Sequence, residues 1–420
     1  MSVTSALYSG VSGLLNQGEA MNVIGNNIAN VNTIGFKQGR TIFADLLSQN
    51  VSDDAQIGKG VQLQAVQNTF TQGTSQNSEN VTDLTIQGNS FFALKPPTSV
   101  APVTNQSSAF LSRAGAFKVD NNLTLVNPDG YQVLDTSGNP IKFSDNSTGI
   151  ATAVTGFNTA NTATLATSAL ITTDIATAQA AVTAMPAVTA AEIAAQAKVQ
   201  ALVDAATTAN TAADSANTAS FASPTAANAL AVNNSVAAAF AALQAAAAAA
   251  GTSTTAATAT AVTDVATNYA SVTAEEGKAF GKVVGVSSNG LITYLSADGI
   301  TQNYYDTSGA VGKPVTAANA LNVQRLAVVT ASDPSSLSKV GGSLYQANEK
   351  SGVATTAFTL GGNRPNGTSE QILSNSLEGS NVDMASEFVK MIVTQRAYSA
   401  NSKTITTADQ MTQEVLGLIR

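Results

Sequence analysis

Few side chains in this 420-residue sequence are of a type that acts on a substrate. Histidine, cysteine and tryptophan are absent, which removes imidazole as base or zinc ligand, thiolate nucleophiles, disulfides and the triads built on them. Carboxylate chemistry and Ser-Lys pairs remain. Glu275 and Glu276 are adjacent, so their side chains diverge on a helix or a strand and make no acid/base pair. Asp120, Asp129 and Asp135 lack the alternating spacing and closing glutamate of a calcium loop, and Asp129-Gly130 reads as a turn. Ser399 and Lys403 stand four apart, one too many for a Ser-x-x-Lys motif, with Ser402 directly before the lysine. "SLSKVGGSLY", residues 336–345, lacks the glycine spacing and Lys-Ser/Thr ending of a phosphate loop, and the spaced-glycine dinucleotide fingerprint is missing too. The expectation is no enzyme: no catalytic residue, no cofactor and no metal.

Composition narrows the partners. Only 11% of residues are charged, the net charge is -8 and the pI is about 4.6. No basic patch is present to neutralise phosphates, so a nucleic-acid partner is not expected. Scarce charge with abundant Asn, Gln, Ser and Thr suits a surface covered by copies of itself. The N-terminus does not read as a cleavable secretory signal, and no stretch reads as twenty strongly apolar residues, so no membrane span is expected.

The elements begin and end helical. Leu7, Leu14, Met21 and Ile28 recur seven apart, with Ile24 and Val31 between and beyond them, which predicts a heptad helix over 1–35. Gly10, Gly13, Gly18 and Gly25 each cost such a helix roughly 1 kcal/mol relative to alanine, but let another backbone come close. The final segment, 380–420, is the strongest helical pattern. Its seam runs Met384, Phe388, Met391, Tyr398, Ile405, Leu416, Ile419, interrupted by Gln395, Ser402, Asp409 and Thr412, with Asn381 or Asp383 to cap it.

Between the ends, 36–83 reads as an extended linker region. Residues 84–145 and 306–379 read as a discontinuous β-rich domain, with turns at "NPDG" and "TSGNP". Residues 146–305 read as an outer β-rich domain with an Ala/Thr-rich helical insertion. There "STGIATAVTGFNTANTATLATSALITT" suggests irregular strands. Two helices follow, one over "AAEIAAQAKVQALVDAATTANTAADSA" and one from Pro224 to Gly251, packed by Val199, Leu202, Phe240 and Leu243. The fold class is multidomain α+β: paired, coiled-coil-like terminal helices, mainly antiparallel β domains and an Ala-rich insertion.

"GNNIANVNTIGFK" at 25–37 makes the termini specific. With the helix before it, it resembles the N-terminus of the bacterial flagellar rod and hook proteins, through Asn26, Asn27, Ala29, Asn30, Asn32, Thr33, Gly35, Phe36 and Lys37. "NTFTQGTSQNS", "LTIQGNSFFAL" and "FLSRAGAFKVDNNLTLVNPDGYQVL" look like the family's next shared region. "SLEGSNVDMASEFVKMIVTQRAYSANSKTITTADQMTQEVLGL" is similar to its C-terminal helix, including Ser380 to Asp383 and Gln395 to Tyr398. The matches lie outside the large middle and cover about a third of the chain.

The resemblance implies an extracellular axial tube, a homo-oligomeric helical polymer, passed out through the flagellum's own type III export machinery. The paired terminal helices would form the inner tube, with β domains outside. Partners would be adjoining rod, hook cap and hook-filament junction proteins. Length and the middle insertion look most like the hook, which couples rod to filament and transmits torque; a distal rod or junction subunit is the alternative. A secreted β-rich adhesin or carbohydrate-active enzyme would need paired acids in a pocket and neither terminal heptad pattern, and a free soluble coiled coil would form dimers or tetramers in solution instead of a long tube. The expected assembly interface is Leu7, Leu14, Met21, Asn26, Asn27, Ile28, Asn30, Val31, Phe388, Met391, Arg396, Tyr398, Ile405 and Leu416. On this reading the asparagines beside the seam find their partners in neighbouring subunits, trading affinity for register.

Overall fold

The computed structural model describes residues 3–46, 49–52, 55–97, 103–185, 187, 189–223, 225–250, 265–303, 323–359, 362–368 and 370–418. Residues 304–322 of the two expected β-rich regions, Pro224 and Gly251 at the bounds of an expected helix, and Ile419 lie outside the described residues. The chain divides into two compact units. One comprises Met1–Phe143, Lys282–Tyr294 and Thr301–Arg420; the other comprises Ser144–Gly281 and Leu295–Ile300. Mixed helix and antiparallel sheet make it an α+β protein.

The first unit carries helix α1 (Val3–Ala29) at one end of the chain and α6 (Met384–Leu418) at the other. After α1 the strand Gly39–Asp45 pairs antiparallel with Val61–Asn68. An eight-stranded sheet is centred on Phe91–Lys95, which pairs with Phe110–Ser112, Gln132–Val133 and Val328–Val329. Segments on either side of the helical unit therefore share one sheet. Its core joins Phe91, Ala93, Leu111, Leu134, Ala327, Val329 and Tyr345. Phe70 stacks edge-on against Phe91 and Tyr345, with centroids 5.4 and 5.1 Å away. The chain then returns toward its start: Gln371–Ser374 pairs with Leu84–Gln87, and Ser376–Glu378 with Ser75–Asn77.

The second unit is built from α2 (Ser147–Thr183), α3 (Ala190–Ala222), α4 (Ala226–Ala250) and α5 (Val265–Gly277). The expectation of irregular strands from Ser147 to Thr173 is corrected: this segment is the larger part of α2. β-branched threonine favours strands, but here alanine propensity prevails. Thr152, Thr155, Thr159 and Thr162 each donate to the carbonyl four residues earlier, at 2.8–2.9 Å. α3 opens with a capping box: the Glu192 amide donates to Thr189 Oγ1, and the Thr189 amide to the Glu192 carboxylate.

Phe157, Ile171, Val232, Val236, Leu243, Val265 and Val272 form one core of this unit, and Val182, Val199, Val203 and Ala206 another. Of the four expected packing residues, Val199 and Leu243 are buried, Phe240 packs half-buried at the edge, and Leu202 is exposed. Leu202 lies off the inward stripe of Val199, Val203 and Ala206, which takes the i, i+4, i+7 positions. The segment Ala227–Ala249 is apolar and long enough, by length and composition, to cross a membrane; in this fold Val232, Val236 and Leu243 on it are core residues.

Candidate assembly interface

α1 and α6 lie side by side. On α1 the buried positions are Gly10, Gly13, Ala20, Ile24 and Asn27; on α6 they are Glu387, Thr394 and Ala408, with Met391, Asn401 and Ile405 half-buried. Both sets follow steps built from three and four, the coiled-coil pattern. Two glycines are needed for this approach. A β-carbon on Gly10 would sit 3.0 Å from Ile405 Cγ1, and one on Gly13 would sit 2.6 Å from Asn401 Nδ2. Gly18 and Gly25 face open space.

Each residue expected at the interface has a definite place. Asn27 is buried. Leu7, Leu14, Met21 and Ile28 are half-buried on α1, one position around from its inward seam; Met391 and Ile405 are half-buried on the inward seam of α6; and Asn30 and Val31 are half-buried just past the end of α1. Asn26, Phe388, Arg396, Tyr398 and Leu416 are exposed. They share the outer faces with Tyr8, Val11 and Leu15 on α1, and with Val389, Ile392, Val393, Met411 and Val415 on α6. Large exposed apolar faces of this kind mark surfaces that bind something.

The asparagines require a correction. The reading that they wait for neighbouring subunits does not hold for Asn27. Its Nδ2 donates to the Gly39 carbonyl at 2.8 Å and to Glu387 Oε2 at 3.0 Å, while its Oδ1 accepts from the Gly39 amide at 2.9 Å. Asn16 donates to Ser12 and Val61 carbonyls. Asn30 donates to the Asn26 carbonyl and accepts from Thr33 Oγ1. Burial forces a partner on an amide, and the nearest ones belong to the same chain. Asn26 and Asn32 present exposed side chains.

The turn after α1 is anchored by charge. Lys37 Nζ lies 2.6 Å from Glu378 Oε1 and 2.8 Å from the Thr71 carbonyl, and Arg113 Nη1 lies 3.4 Å from Glu378 Oε2. Lys37, Arg113 and Glu378 are all buried. Burial lowers the Lys37 and Arg113 pKa values from their usual ranges, with Glu378 opposing the shift. Burial likewise pushes the nearby Tyr345 hydroxyl up. Gly35 has φ +67°, and a β-carbon there would sit 2.5 Å from the Ala114 amide, so only glycine fits. Its amide donates to the Glu378 carbonyl at 2.8 Å. Asn381 continues the clamp: its Oδ1 accepts from the Gln38 amide at 2.8 Å and its Nδ2 donates to the Thr69 carbonyl at 2.7 Å. Of the two possible caps of α6, Asp383 takes the role, accepting from the Ala385 amide at 3.0 Å. Sequence reasoning passed over Glu378 and Arg113, whose only signal is that charge is rare here.

The residues weighed for chemistry hold structure instead. Asp120 Oδ1 accepts from the amides of Asn122 and Thr124, and Asp135 Oδ1 from those of Ser137 and Asn139. Asp129 sits in the turn closed by the Gly130 amide on the Asn127 carbonyl. Among the described residues no three acidic side chains gather as a metal group would require.

The arrangement defines a class: proteins whose two chain ends are clamped together and whose terminal helices present apolar faces outward. Residues 7–37 match the family described as flagella basal body rod protein, and residues 373–418 match the flagellar basal body rod FlgEFG protein C-terminal family. Both ends of the chain are thus similar to flagellar rod and hook proteins. It is 40% identical over 154 residues to a flagellar hook protein FlgE of Borreliella burgdorferi, covering 32% of this chain and 33% of that one. Against a FlgE of Treponema pallidum it is 42% identical over 151 residues, covering 32% and 31%. The aligned part thus spans about a third of these relatives. It is also 24% identical over 427 residues to a flagellar basal-body rod protein FlgG of Bacillus subtilis, covering 99% of both chains.

Proposed function

We propose that this chain is a structural subunit of the flagellar hook, polymerising into a curved, flexible tube outside the cell that transmits torque from rod to filament. The observation that carries this is the terminal helix pair: its two segments match the rod/hook family, and its outer faces are apolar and uncovered. Relatives named hook proteins, 40% and 42% identical over the matched part, favour the hook within that family. In the polymer α1 and α6 form the inner tube, and Leu7, Leu14, Met21, Ile28, Phe388, Met391, Ile405 and Leu416 take part in its contacts. Residues 36–83 link this assembly domain to the β-rich domain. Neighbours are rod, hook cap and junction proteins, and the subunit reaches them through the flagellar export machinery.

The full-length likeness to a rod protein favours a second reading, a distal rod subunit. Immunogold labelling of isolated flagella separates the two. Gold along the curved segment supports the hook, and gold confined to the basal body rejects it in favour of the rod. Deletion of the gene is expected to leave basal structures without hook or filament; normal hooks in the deletion strain contradict both readings.

A further inference from the structure

One cavity of the first unit has no role in the clamp. It measures about 250 Å³ and opens between α1, the strand Gly39–Asp45 and α6. Ala20, Val23, Ile24 and Phe43 give it an apolar wall, and Arg40 and Lys390 stand at its rim. Its only carboxylate, Glu387, is already engaged: Oε1 takes Lys390 at 2.6 Å and Oε2 takes Asn27 at 3.0 Å. Arg40 bonds a neutral group, donating to Gln67 Oε1 from Nε at 3.1 Å and Nη2 at 2.6 Å. The rim thus carries two cations against one occupied anion. Its complement is an apolar knob with a carboxylate beside it.

The last turns of α6 present that combination. Met411 and Val415 are 55% and 53% exposed, and Glu414 is exposed between them. Positions i, i+3 and i+4 share one helix face. Thr412 points elsewhere, half-buried and donating to the Ala408 carbonyl. We propose that this cavity is the socket for Met411 and Val415 of a second copy of the chain, with Glu414 meeting Arg40 and Lys390. The inference rests on the reading that the chain polymerises, and deepens it by naming the contact.

The two surfaces lie at opposite ends of α6: Lys390 and Glu414 are separated by about 36 Å at 1.5 Å per residue. A contact between two different patches is heterologous, and when it does not close into a ring it repeats head-to-tail into an open helical filament. The exposed stripe Tyr8, Val11 and Leu15 on α1 is a poorer plug. The acid that follows it, Glu19, lies next to Ala20 of the socket itself.

The absence of cysteine makes the test clean. Full-length Phe43→Cys and Val415→Cys chains are mixed, polymerised and oxidised. A disulfide-linked 43–415 pair is expected in the polymer and absent from dispersed monomers. Polymer without that link, or a link from Phe43→Cys to Leu15→Cys in its place, overturns the socket while leaving polymerisation intact. A charge exchange gives a second readout should the cysteine chains not assemble. Glu414→Lys is expected to lose polymer by electron microscopy, and Arg40→Glu combined with it to regain polymer. Glu414→Lys chains that polymerise like the wild type overturn the proposal. A wild-type chain that forms no polymer overturns the hook reading itself.

Discussion

Lys37 and Glu378 are 341 positions apart in sequence and 2.6 Å apart in space, both side chains almost fully out of water. This pair, with Arg113, ties the turn after the first helix to the strand before the last one. Removing one partner of a buried pair leaves an uncompensated charge, at a cost of about 3–5 kcal/mol. Glu378→Gln strands two cations, whereas Lys37→Met leaves Glu378 facing Arg113. The expected order of stability in urea unfolding is wild type, Lys37→Met, Glu378→Gln. Equal midpoints for all three would show that the pair does not hold the two ends.

Glycines in and after α1 should respond oppositely to alanine. Gly35→Ala meets both a positive φ and the Ala114 backbone, and is expected to cost roughly 2 kcal/mol or more. Gly25→Ala enters open space on a helix and should gain up to about 1 kcal/mol in the monomer. Thermal unfolding of the two variants checks this, and a destabilised Gly25→Ala monomer contradicts it. A Gly25→Ala chain that is stabilised yet polymerises poorly would place a neighbouring subunit against that glycine.

The helical unit should weaken in acid. Hydrogen bonds from Lys278 and then Asn146 hold the Glu275 carboxyl below its usual value of 4.5. A depressed carboxylate contributes stability that is present above the unfolded pKa and lost as pH falls through the folded one. The contribution is at most about 1 kcal/mol for a partly exposed pair. Helix signal followed by circular dichroism through unfolding, from pH 6 downward past 4.5, should therefore show a loss of stability that Glu275→Gln reduces. An unchanged acid profile in the variant rules the pair out as its source.

Assembly should depend on the terminal helices and not on the helical unit. Leu14→Asp or Met391→Asp is predicted to abolish polymer while sparing the sheet and helical unit, and Lys198→Ala, at an exposed position of α3, to change neither. Hydrogen exchange adds a second prediction. α1 and α6 should exchange faster in the monomer than in the polymer, because glycine-rich and polar-interrupted helices need burial to offset the entropy of ordering. Equal protection in both states sinks that coupling.

Replacing the buried polar layer of the helical unit is a further probe. Asn161, Asn210 and Asn217 are buried between α2 and α3, and the side-chain oxygen of each has no hydrogen-bond partner. Asn210 still donates to Thr172 Oγ1 at 2.8 Å. Such amides lower stability and fix register. Asn217→Leu should raise the melting temperature of the full chain's helix signal; a clear fall would mean that the amide contributes more by its bonds than its stranded oxygen costs.

Local patterns were enough for the terminal helices, for the turn at Asp129-Gly130 and for the absence of imidazole and thiol chemistry. Heptad spacing, turn residues and composition act within a few residues, so the sequence by itself determined them. Local preference failed from Ser147 to Thr173, where threonine's strand tendency and alanine's helix tendency compete, and the threonine hydroxyls are accommodated in the helix by bonding the carbonyl four residues earlier. Three features were decided only by tertiary structure. Asn27 finds its partner in Glu387, 360 positions away; Lys37 finds Glu378; and Gly10 and Gly13, rather than Gly18 and Gly25, meet α6. Periodicity shows that a face is apolar or that an amide needs a partner, but the choice among partners depends on which distant segments the folded chain brings within about 3 Å.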